Sequence, residues 1–206
     1  MHAAASDVPV TAAKGDVEAP PAVARGSKDA LSSASAQSMP DSILELIGNE
    51  PPPIKVVDVG AMDLGQPIYA PLVGLPGCTV IGFEPNPEEC AKLQAQQSET
   101  RKFLPYFIGD GARRTFHWCR WAPTSSLYPP NRRLLDRFTD LPELVQEAAQ
   151  TEVSTTRLDD LSELRGSDFV KIDVQGATLD VLRGGQETIA GAVVVECEVE
   201  FVPLYE

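Results

Sequence analysis

Five short runs rich in β-branched and aromatic residues punctuate this chain: "IKVVDV" (54–59), "TVIGFE" (79–84), "FLPYFI" (103–108), "DFVKIDV" (168–174) and "AVVVECEVE" (192–200). Helix-forming segments separate most of them. A strand followed by a helix cannot fold back as a hairpin, so the next strand enters the sheet parallel to the last. The expected fold class is therefore α/β, a mostly parallel sheet with helices on both faces. The clearest helix signal is "NPEECAKLQAQQ" (86–97), with Asn86 as N-cap, Pro87 at the first helical position and Glu88 and Glu89 near the positive end of the helix dipole. Further helices are expected around 66–75 and over "ATLDVLRGG" (177–185), the latter closed by glycines. Pro105 weakens the third strand. Between 112 and 152 the pattern gives a β excursion near "TFHWC" and a helix near "LPELVQEAAQ".

Residues 1–40 are rich in Ala, Ser, Pro, Val and Gly, without an aromatic residue, and read as a disordered N-terminal extension. The domain is expected over 41–206, opening with a short capped helix in "DSILELIGNE" (41–50), which "PPP" (51–53) stops. The formal net charge is −13, and all but one of those charges fall after residue 40. That balance argues against nucleic acid or an anionic membrane as partner, since both favour clustered Lys and Arg. Cys78, Cys90, Cys119 and Cys197 are far apart and form no Cys-x-x-Cys pair, so no metal site is expected, and their spacing suits buried thiols in a reducing cytosol. No apolar run reaches the ~18–20 residues of a membrane span, and the N-terminus lacks a secretory pattern, so the expected location is cytoplasmic.

The stretch "VVDVGAMDLGQP" (56–67) is the most informative about function. It reads as a strand, a glycine loop and the start of a helix. Gly60 and Gly65 have the glycine spacing of a phosphate-binding P-loop, but Gln66 and Pro67 stand where Lys and Ser or Thr are needed. A dinucleotide loop lacks its second glycine here, and Asp58 would repel a pyrophosphate. A donor that carries positive charge and no phosphate fits better: S-adenosylmethionine. Asp58 and Gly60 would then lie at its methionine end. Glu84, at the end of the second strand, would accept hydrogen bonds from the ribose hydroxyls, and Asp110 in "FIGDG" would receive the adenine amino group. Each acid also has an ordinary structural reading, as a turn or cap residue. Together they place carboxylates at the carboxyl ends of three successive strands, where open α/β sheets bind ligands.

Five segments in this order, "VVDVGAMDLG", "VIGFEPNPEECAKL", "TTRLDDL", "DFVKIDVQGATLDVLRGG" and "VVVECEVEFVPLYE", resemble the FkbM-type S-adenosylmethionine-dependent methyltransferases. The resemblance covers about 54–206, and "KIDVQGATLDVLRGG" is its most specific part. It implies the Rossmann-like class I methyltransferase sheet, a methyl acceptor that is a hydroxyl of a natural product, sugar or glycan, and cofactor roles for Asp58, Gly60 and Glu84. That fold normally continues past a fifth strand with two more, so the C-terminal strands are expected to be missing here. A catalytically inactive binding or scaffold protein on the same fold is the alternative, and an NAD-dependent enzyme is a third reading.

Strand alternation adds a polar ladder. Lys171 and Asp173 share one face of the fourth strand, and Glu196, Glu198 and Glu200 share one face of the fifth. A buried lysine needs a partner, and Glu196 is the expected one. Asp173, nearest the carboxyl end, is the candidate catalytic base or orienting group, with a cation bridged between Asp173 and Glu198 as a weaker reading. Gln175 and Gly176 are expected to shape the pocket floor, and "TSSLYPP" (124–130) to face the acceptor. His117 reads as packed structure. A small-molecule or glycan acceptor is the expected partner, and a homodimer through the exposed sheet edge the expected assembly.

Overall fold

The computed structural model describes residues 51–206. The expectations for residues 1–40 and for the helix at 41–50 lie outside them. Among the described residues the elements run β1 (Lys55–Val59), α1 (Ala70–Val73), β2 (Thr79–Phe83), α2 (Pro87–Gln94), β3 (Arg101–Leu104), β4 (Arg113–Cys119), α3 (Arg132–Leu135), α4 (Leu141–Leu144), β5 (Glu147–Ser154), β6 (Phe169–Ile172), α5 (Thr178–Gly184), α6 (Gln186–Ala190) and β7 (Val194–Cys197).

Five strands form one sheet in the order β3-β2-β1-β6-β7, every neighbouring pair parallel. The chain winds outward from β1 to β3, then crosses back to build β6 and β7 on the other side. The order reverses between β1 and β6, the place where such sheets open a crevice at their carboxyl edge. Val57, Val59, Val170 and Ile172 point to one face and are sealed by Leu158, Leu164 and Val181. The opposite face packs Val56 and Val80 against Tyr69 and Cys78, and Phe103 against Leu93 of α2. Helices therefore cover both faces, as the alternation predicts.

Helix α2 starts where the capping signal places it. The Asn86 side chain accepts hydrogen bonds from the N–H groups of Glu88 and Glu89, at 3.0 and 3.3 Å. Three expectations need correction. The third strand ends at Leu104 instead of 108, because Pro105 has no N–H to continue the ladder. The helix around 66–75 is a single turn over Ala70–Val73. The segment expected as a helix at 141–150 is helical only to Leu144; "EAAQTEVS" instead pairs antiparallel with β4 as a two-stranded ribbon. Ala and Glu favour helix locally, but the seven-residue partner strand beside them wins.

Candidate functional site

Beneath the carboxyl edge of the sheet lies a cavity of about 1000 Å³. Its floor is built by strand register. Asp58 of β1 lies directly across from Lys171 of β6, and Lys171 across from Glu196 of β7. The expected Lys171–Glu196 pair does not form. The lysine ammonium turns towards β1, 3.0 Å from Asp58 Oδ1 and 3.2 Å from the Gly60 carbonyl oxygen, with Asp173 Oδ2 at 3.6 Å. Glu196 is left with a buried, unpartnered Oε2. The second oxygen of Asp58 accepts a 2.6 Å bond from the Tyr69 hydroxyl.

Asp58 is thus at the cavity floor, 3 % exposed, but with a protein donor on each oxygen. Burial pushes its carboxyl pKa up, while Lys171 and Tyr69 pull it back. Lys171→Met should remove the ammonium that, among the described residues, contacts Asp58 and cost roughly 2 kcal/mol at neutral pH, since an uncompensated buried charge is left. The raised Asp58 pKa in that variant sets the sign. The carboxyl then favours folding when protonated, so the deficit should shrink on acidification. Thermal melts of the variant across pH check this; a deficit independent of pH would contradict the pairing.

Gly60 has φ +82°, and its N–H, with that of Ala61, donates to the Phe83 carbonyl at 3.0 Å. The loop after β1 is therefore tied to the end of β2. Directly beyond β2, Glu84 is 3 % exposed yet lines the cavity. Its carboxylate accepts the Asn86 N–H at 2.8 Å, and among the described residues no lysine or arginine pairs with it. Burial raises its pKa to about 7. A buried carboxylate with spare acceptor capacity, facing a cavity, suits a ligand that brings hydroxyl donors.

The structure does not bring Asp110 to the cavity. Its carboxylate accepts the Ala112 N–H at 3.0 Å and pairs with Arg114, which hold its pKa below the usual carboxylate range. Arg114 also reaches the buried Asp180, itself bonded by Tyr128, so Asp110 belongs to a network that ties the loop before β4 to α5. Gly176 lies outside the main cavity too; at φ +76°, its N–H donates to Glu200 Oε1 at 2.6 Å. Asp173 and Gln175 do line the cavity, as do Thr124 to Leu127 of the segment expected to face the acceptor. His117 is buried and hydrogen-bonded to Glu147, away from the cavity lining.

Sequence reading missed the aromatic walls, Tyr106, Phe107, Trp118 and Trp121, and the Tyr69 hydroxyl. The aromatic run "FHWC" offered a signal, since alternation sets Phe116 and Trp118 on one strand face and their rings pack edge to face at 4.7 Å. For Tyr69 the sequence holds no comparable cue.

Known proteins resemble this chain in sequence. The family model described as "Methyltransferase FkbM domain" matches residues 58–206. The 2-O-methyltransferase NoeI of Sinorhizobium fredii (strain NBRC 101917 / NGR234) is 28% identical over 196 residues, which cover 89% of this chain and 76% of that protein. No solved structure matches the chain.

Proposed function

We propose that this chain, which belongs to the FkbM methyltransferase family, binds S-adenosylmethionine in the cavity beside β1 and β2 and transfers its methyl group to a hydroxyl of a small-molecule, sugar or glycan acceptor. The observation that carries the reading is Glu84: a buried carboxylate, unneutralised, at the tip of the strand next to the glycine loop. It would accept both ribose hydroxyls. The floor supports a cationic donor as well, because Asp58 and Asp173 stand against the single ammonium of Lys171. A phosphate-bearing cofactor would meet those carboxylates instead of the lysine and hydroxyl it needs. The relative named a 2-O-methyltransferase supports oxygen as the acceptor atom.

When bound, the donor supplies an activated methyl group on a positively charged sulfur. Alignment then carries much of the rate, and the chain's part is to hold the acceptor oxygen in line. Asp173 lines the cavity with a part-exposed side chain, and takes the role of base or orienting group for the acceptor hydroxyl. The aromatic walls and Thr124 to Ser126 offer apolar contact and hydroxyls to position that acceptor.

Isothermal titration with S-adenosylmethionine, its demethylated product and NAD tests the reading. Binding of the first two without NAD is expected; binding of NAD alone would overturn it. An acceptor screen for methyl release separates an enzyme from an inactive binder. Acidity gives a further check. Hydroxyl recognition needs Glu84 ionised, and its pKa stands near 7 in the free protein. Donor affinity should therefore rise from pH 6 to pH 8 by roughly tenfold, as the carboxylate fraction grows. The linked effect on the free protein has the opposite sense: a raised acid pKa stabilises the fold below pH 4.5 and loses that contribution as pH rises through about 7.

A further inference from the structure

One part of the cavity lining is formed by Asp173, Gln175, Glu198 and Tyr205. Its backbone is fixed by the sheet. The Asp173 N–H donates to Val59 O, and the Glu198 N–H to Ile172 O, both at 2.9 Å. The side chains form a chain of contacts. The Tyr205 hydroxyl lies 3.0 Å from Gln175 Oε1, and Gln175 Nε2 donates to Glu198 Oε2 at 2.8 Å. Glu198 follows Cys197, the register partner of Ile172, so it stands beside Asp173 on the same sheet face, and Asp173 Oδ2 lies 3.6 Å from the Lys171 ammonium. Both ends of the glutamine amide are committed, so its orientation is set by its neighbours and its donor is aimed at the carboxylate.

We propose that Asp173 and Glu198 act together as one proton-accepting pair for the acceptor hydroxyl, with Gln175, held by Tyr205, as the positioning residue that sets Glu198 against Asp173. The inference rests on the methyltransferase reading above. In the step, the acceptor O–H bond breaks and its electron pair forms the new O–CH₃ bond. The S–CH₃ bond breaks with its electrons kept by sulfur. The proton goes to the carboxylate pair and then to water.

The surrounding charges explain why two carboxyls serve better than one. The Lys171 ammonium lies 3.6 Å from Asp173, Glu196 and Glu200 flank Glu198 on the β7 side, Asp58 faces Lys171 from β1, and the charge of Glu200 disfavours a further negative charge on Glu198. Tyr205 contributes only a neutral hydroxyl. Burial first, and then the charge of Asp173, push Glu198 up, against the pull of Gln175. The fully ionised pair consequently has a proton affinity suited to neutral pH, where a lone carboxylate beside an ammonium is a weak base.

The test uses the full chain labelled with ¹³C at Asp and Glu side-chain carboxyls, titrated by NMR. Asp173 and Glu198 should each show two linked inflections, the upper one above the ordinary carboxylate range. Glu198→Gln should leave Asp173 with one inflection at lower pH, and Gln175→Ala should move the upper inflection higher by removing a donor to the charged form. Independent single-step titrations of the two residues would overturn the pair. In turnover with the best acceptor from the screen, Glu198→Gln should lower kcat by roughly 10²-fold and abolish the acid limb of the pH profile. Donor Kd, measured by calorimetry on the same sample, should stay within about twofold. An unaltered profile also counts against the pair, whereas absence of donor binding in the wild-type chain counts against the parent reading and leaves the NMR result to stand alone.

Discussion

Gly60→Ala is expected to leave little or no folded protein. Two independent obstacles meet at this position. The backbone is held at φ +82°, where an L side chain costs about 1–2 kcal/mol. A Cβ built there would also come within 2.0 Å of the Asp173 carbonyl oxygen and 3.0 Å of its carbon. Those atoms cannot move aside, because the Asp173 N–H is bonded to Val59 O and Lys171 holds the Gly60 carbonyl. Added to the backbone term, the overlap brings the total to roughly 3–5 kcal/mol, much of the stability of an ordinary domain. Soluble yield and the thermal midpoint of any recovered protein measure the effect. A variant that melts within a few degrees of the wild type would show that the contact between β1 and β6 relaxes in solution. The neighbouring strand's backbone is thus by itself a sufficient reason for a glycine here.

Glu84→Ala should weaken S-adenosylmethionine binding by at least about tenfold with the fold retained, since hydrogen bonds to a charged group contribute about 1.5–3 kcal/mol. Folding itself is not at risk. The free carboxyl is buried with its pKa raised to about 7, so at neutral pH it contributes little to stability in its charged form. Glu84→Gln separates charge from shape. It keeps one acceptor, so its loss should be smaller, and the rise of affinity between pH 6 and pH 8 should vanish. Calorimetry on the three proteins decides the matter; wild-type affinity in Glu84→Ala, with unchanged melting, would remove Glu84 from the site.

The parts of this molecule written in local pattern were readable. Strands β1, β2 and β6 follow from runs of Val and Ile, and α2 from a complete capping signal at Asn86. Parallel order and the position of Glu84 at a strand tip follow from the same alternation. What failed depends on partners distant in sequence. Lys171 has a carboxylate on either side, Asp58 on β1 and Glu196 on β7, and only the folded register shows which one its ammonium reaches. Asp110 follows a strand-like run, but that strand ends at Leu104, which carries the acid away from the sheet edge and into contact with Arg114. The ribbon strand β5 is exposed along most of its length, so no hydrophobic period betrays it.

The interior position of β6, next to β1, has a consequence for how the chain is made. Asp58 and Lys171 touch across the middle of the sheet, yet 113 residues separate them. At a synthesis rate of about 5–20 residues per second, β1 must wait roughly 6–23 s for its second neighbour to leave the ribosome. During that interval its Val-rich edge can be covered on one side by β2 and is bare on the other. A nascent chain of this design has reason to be guarded by a chaperone until the second half arrives.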